Sequence, residues 1–148
     1  MRKSLKATLG LLLVPAALIG GSTAAQASVT TDCYTYAGAQ ACGVQETMNS
    51  GYCSAYVNQS GSGSSFAFLA IVDEVGTGYD CRFWLERNVN GTGWYDESGE
   101  TTFSPANAWE SQNYWDGSGY QARACFQFLW SGTSNPGAVH CSGAIGNL

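Results

Sequence analysis

Six cysteines, a single histidine and a scatter of carboxylates are the most reactive side chains in this sequence. The cysteines stand at Cys33, Cys42, Cys53, Cys81, Cys125 and Cys141, and the two closest are nine positions apart. Structural zinc sites need C-x₂₋₄-C knuckles, usually with histidines, so this spacing excludes them. An even set in a small exported chain predicts three disulfides and an oxidising compartment. Six cysteines allow 15 pairings, and position alone does not choose among them. Because Cys33, Cys42 and Cys53 crowd the N-terminal third, at least one of them is expected to reach into the body of the domain.

His140 precedes Cys141 and Ser142, but a hydrolase would need it beside a nucleophile and a carboxylate. The chain has no G-x-S-x-G, and an even cysteine set leaves no free thiol. His140 therefore reads as a packed or surface residue. Paired acids for glycoside hydrolysis exist on paper, at Asp73-Glu74, Asp96-Glu97, Glu100 and Glu110, yet that chemistry wants a deep cleft. They read instead as solubilising charges at turns and strand ends. Asp73, Glu74, Asp80 and Asp116 lack the D-x-D-x-D-G spacing of a calcium loop, which leaves calcium at most a structural role. No catalytic residue, metal ligand or cofactor is assigned.

The aromatic residues stand above background, chiefly Trp84, Trp94, Tyr95, Trp109, Tyr114, Trp115 and Tyr120. Exposed Trp and Tyr stack on sugar rings, and the same residues anchor protein interfaces. Most rings in a small domain fill its core. Trp84 is the expected exception, because alternation places it with Arg82 and Glu86, opposite Cys81, Phe83 and Leu85.

The elements that must position these residues begin after a leader. Arg2, Lys3 and Lys6 precede an apolar run over 7–20, and Ala25-Gln26-Ala27 offers a small-x-small cleavage site, so residues 1–27 read as a secretory signal. Residues 28–148 then form one secreted domain with Arg82, Arg87 and Arg123 against 11 acids, a net charge of −8, and no lysine. Binding to nucleic acid or to anionic lipid needs clustered cations, so both are excluded, and no segment after the leader is long enough for membrane insertion.

Short β-rich runs separated by dense turn signals predict an all-β fold, an antiparallel, disulfide-stapled β-sandwich of about seven or eight strands. Tyr52 to Gln59 alternates, Phe66 to Val72 is apolar throughout and reads as a central strand, and Tyr79 to Arg87 alternates again. Asn90-Gly91 marks a type I′ hairpin. Further runs fall at 100–104, 108–115, 119–131 and 138–145. Ala106 to Tyr114 lacks Gly and Pro and follows Ser104-Pro105, so at most one short helix is allowed there. Ser28, Val29, Thr30, Thr31 and Asp32 are polar or β-branched and read as an extended arm, either a frayed end or a binding strand.

The Asp-Gly-Ser-Gly turn and the strand after it, YWDGSGYQARACFQF at 114–128, resemble small exported actinobacterial proteins. The layout of leader, arm, six cysteines and aromatic β domain also resembles the adaptor subunit of the umbrella toxin particles of those bacteria. That resemblance implies a link between a lectin subunit and a large toxin-bearing subunit. It gives residues 28–32, with Cys33-Tyr34-Thr35-Tyr36, the role of a strap into the larger partner.

Two functions are expected from the residues. One is a non-catalytic interaction module for another secreted or cell-surface protein, using the arm. The alternative is a carbohydrate-binding module whose Trp94, Tyr95, Trp109 or Trp115 lie coplanar and exposed to a glycan.

Overall fold

A computed structural model of the chain describes residues 28–48, 51–60, 66–74, 78–103, 107–130 and 136–148. The leader expected over 1–27 lies outside them. Among the described residues there is no helix, and 12 strands form two antiparallel sheets. Seven of the strands are six residues or longer, in line with the number of runs read from alternation.

The first sheet is built from β1 (Ser28–Tyr36), β2 (Ala39–Met48), β3 (Gly51–Gln59) and β4 (Phe66–Glu74), in that order. β8 (Asn107–Glu110) and β9 (Tyr114–Trp115) both pair with the far side of β4. The second sheet has β10 (Tyr120–Trp130) and β5 (Tyr79–Val89) at its centre. β11 (Pro136–Cys141) and β12 (Ile145–Asn147) flank β10, while β6 (Trp94–Asp96) and β7 (Thr101–Phe103) flank β5.

The sheets pack face to face because alternation gives each one apolar side. Val44, Ala55 and Val57 of the first meet Phe83, Leu85, Ala122, Ala124, Phe126 and Phe128 of the second, all buried in one cluster. Small side chains on one sheet thus oppose large rings on the other. Cys53 of β3 and Cys81 of β5, both fully buried, join the two sheets covalently. The other bridges staple neighbouring strands: Cys33–Cys42 links β1 to β2, and Cys125–Cys141 links β10 to β11.

Two readings left open by the sequence are decided. The stretch allotted to a helix is β8 and β9, whose described backbone pairs with β4 at Ala70 to Asp73 and at Phe66 and Ala67. Nine residues nucleate a helix poorly in isolation, and pairing with β4 satisfies its otherwise open edge. The arm is likewise no free extension. Its backbone pairs with β2 in unbroken register from Ser28↔Thr47 to Tyr36↔Ala39.

The turn between them, Ala37-Gly38, holds φ of 49° and 85°, the geometry of a two-residue primed hairpin. The expected Asn90-Gly91 hairpin has the same signature, with φ of 49° and 74°, and Thr92 N–H donates to the Val89 carbonyl at 3.0 Å.

Loss of the inter-sheet bridge is expected to cost more than loss of the hairpin bridge, since it closes 28 positions and not nine. The Cys53→Ala/Cys81→Ala variant should lose about 3–4 kcal/mol and Cys33→Ala/Cys42→Ala about 2–3 kcal/mol, read from urea midpoints.

Candidate functional site

β1 ends the first sheet, so half of its backbone hydrogen-bonding groups have no strand beside them among the described residues. Every described side chain from Val29 to Tyr36 is exposed, on both faces. The strand extends past the cover of the second sheet. Edges of this kind are ordinarily blunted by proline, lysine, a bulge or short length. β1 has nine residues and no proline, lysine or bulge, and its one charged side chain is Asp32. The opposite sheet shows the contrast: its edge strand β11 begins at Pro136, and its pairing with β10 shifts register between Gln127 and Leu129.

The outward face of this hairpin carries the most exposed rings of the described chain. Tyr34 is 58% and Tyr36 78% exposed. Together with Ala39, Ala41, Asn58 and Gln59 they line a shallow groove of about 160 Å³. Small residues along β2 keep that groove open, and Tyr34 and Tyr36 border it on the β1 side. On its other face, the hairpin overhangs Ala144 and Ile145 and forms a cleft of about 290 Å³ beside the Cys33–Cys42 bridge.

Charge divides between the sheets. Among the described residues the three arginines lie on β5 and β10, and each is paired: Arg82 with Glu100 at 2.8 Å, Arg87 with Glu97 at 2.9 Å, and Arg123 with Glu86 at 2.6 Å. Two of them also cover rings, Arg87 over Tyr120 at 4.6 Å and Arg123 over Trp94 at 4.2 Å. Residues 28–74 contain Asp32, Glu46, Asp73 and Glu74 and no arginine, lysine or histidine.

Among the described side chains, Trp94, Tyr95 and Trp115 do not form one coplanar, exposed platform. Trp94 and Tyr95 are consecutive in β6 and so face opposite ways, and Trp94 is partly covered by Arg123. Trp115, 46% exposed, sits on the other sheet, against Gly117. The side chain of Trp109 lies outside those described.

Trp84 points away from the core as alternation requires, yet it is only 7% exposed, which corrects the expectation of an open ring. Its register partner is Cys125, bridged to Cys141, and its indole N–H donates to Glu86 at 2.9 Å. The strand pattern names the face but not what covers it.

His140 stacks against Phe126 and approaches Glu46 of β2 at 3.2 Å, so it packs between the sheets at their rim. Ser142 Oγ accepts from the Ala124 N–H and donates to the Gly143 carbonyl. Neither residue meets a nucleophile and carboxylate in a triad. Glu86 clusters with Cys125 and Cys141, but both sulfurs are consumed by their bridge.

Of the acids considered for sugar or calcium chemistry, Asp96 caps its own turn through the Gly99 N–H, while Glu97 and Glu100 hold arginines. Glu110 is exposed on β8, and the side chains of Asp73 and Glu74 lie outside those described.

Asp116 is the buried exception, at 2% exposure. Gln59 Nε2 donates to its Oδ2 at 3.1 Å, whereas Oδ1 has no donor among the described residues. Burial pushes its carboxyl above the ordinary value of 3.8, opposed in turn by the Gln59 bond, its own backbone N–H and the Arg87 charge. The folded state therefore holds this proton more tightly than the unfolded state. Its contribution to stability is largest below the unfolded pKa and falls as pH rises through the folded one. Asp116→Asn should flatten that fall above pH 3.8 and raise the urea midpoint at pH 7, while leaving it little changed under acid conditions.

Comparison with protein-family models, curated proteins and solved structures yields no match to this chain.

Proposed function

We propose that the protein is a secreted, non-catalytic interaction module that engages another secreted or cell-surface protein through β1. One observation carries this reading: a nine-residue edge strand, exposed on both faces, with no proline, lysine or bulge and with Asp32 as its one charge. An extended segment of a partner adds to an edge like this through main-chain hydrogen bonds, with alternate side chains supplying specificity. Disulfides in the hairpin and across the sheets hold the edge in place beforehand, which lowers the ordering cost of association. The adaptor role implied by the resemblance to umbrella particle subunits is one instance of this reading, with Ser28 to Asp32 as the contacted segment.

Sugar binding is the second reading, favoured by the Tyr34 and Tyr36 groove with the Asn58 and Gln59 amides at its border. Its site differs from the tryptophans first expected. A glycan array distinguishes the two readings, since signal lost in Tyr36→Ala would support sugar binding.

For protein binding, the expected outcome is specific recovery of one partner from the medium of the producing cells by the wild-type protein. The Tyr34→Lys/Tyr36→Lys variant should retain roughly tenfold less of it. Both positions are exposed, so its unfolding free energy should stay within about 0.5 kcal/mol of the parent's. Equal recovery by both proteins, quantified by mass spectrometry, would remove β1 from the interface.

A further inference from the structure

Asp32, Gly43 and Tyr56 form one row across the first three strands, paired Asp32↔Gly43 and Gly43↔Tyr56. Register partners share a face, so all three belong to the outward side. Gly43 is required here, because a Cβ at that position would stand 2.5 Å from Cδ1 and Cε1 of the Tyr56 ring. The ring therefore lies across β2 toward β1. Thr30, Asp32, Gly43, Gln45 and Tyr56 line a small depression of about 70 Å³ at that place.

The second sheet shows what this chain does with a carboxylate beside a ring. Glu86, Arg123 and Trp94 form one stack of carboxylate, guanidinium and aromatic ring, and Glu97, Arg87 and Tyr120 form another. The Asp32 and Tyr56 row has the acid and the ring, in a region that supplies no cation from residue 28 to residue 74.

We infer that an arginine of the partner completes this third stack. An extended partner segment pairs with β1 and presents the guanidinium on the outward face, against the Asp32 carboxylate and toward the Tyr56 ring. This rests on the β1 edge proposed above and adds the chemistry that the edge selects. Arginine suits the seat better than lysine, because its planar fork matches a carboxylate and its face stacks on a ring. A second copy of residues 28–148 does not supply it, since its arginines, Arg82, Arg87 and Arg123, are already paired.

The test uses the folded protein and two synthetic peptides, Thr-Val-Thr-Arg-Thr-Val-Thr and the same sequence with neutral citrulline in place of arginine. Binding is followed by amide chemical shifts at millimolar peptide. The arginine peptide is expected to shift the amides of β1 around Asp32, and the citrulline peptide to bind roughly tenfold more weakly at the same place. Asp32→Asn should weaken the arginine peptide alone, and Tyr56→Leu should weaken it in part. Added salt should reduce the difference between the peptides. Equal binding of both peptides to β1 would overturn the arginine seat while leaving the edge reading standing. Shifts centred away from β1, or none with either peptide, would overturn both. Concentration-dependent dimerisation through β1 would also overturn the inference, by making a second copy the occupant.

Discussion

Two sheets held face to face by apolar side chains, and pinned by one covalent bridge, form the constraint on which the other features rest. Cys53–Cys81 crosses a layer in which Ala55 and Val57 oppose Phe83 and Phe126. Packing stops where this layer stops. β1 lies at its margin, exposed along its length and touched on the inner face only near Cys33 by the Gly143 to Ile145 segment, and its position is kept by the ladder to β2 and by Cys33–Cys42. A strand that contributes nothing to the core is free to be selected for what it contacts.

Electrostatics follows the same division. The second sheet neutralises its cations internally, in pairs that are partly buried and stacked on rings. Such arrangements hold a surface in a fixed shape, and they leave little unsatisfied charge to attract a ligand. The first sheet keeps acids without cations of its own, apart from Glu46 facing His140. One side of the sandwich is electrostatically closed, and the other retains a negative field available to a positively charged partner.

Much of the fold was legible because period-two patterning survives in the long strands. Cys81, Phe83 and Leu85 were assignable to the core from alternation alone, and Asn90-Gly91 announced its hairpin through the residue types that tolerate positive φ. The first hairpin was hidden because Ala37 occupies a left-handed position that alanine does not advertise. A usable signal existed in the placement of Cys33 and Cys42, which are equidistant from Ala37-Gly38. Local propensity misled at 106–114, where pairing with β4 decides the outcome. The candidate site was legible only in part: residues 28–32 were marked, Tyr34 and Tyr36 entered only through the resemblance, and Tyr56 was passed over in favour of Trp94, Tyr95, Trp109 and Trp115. Exposure depends on where the second sheet ends, and that is a tertiary fact with no local pattern.

The order of the bridges along the chain has a bearing on biogenesis. A polypeptide oxidised as it emerges, amino end first, presents Cys33, Cys42 and Cys53 well before Cys81. If the hairpin bridge closes first, it takes Cys42 out of exchange and leaves Cys53 as a lone thiol for Cys81. The bond that stiffens the exposed edge in the finished molecule thus joins the two nearest cysteines in sequence, and of the first three thiols it leaves one for the distant bridge.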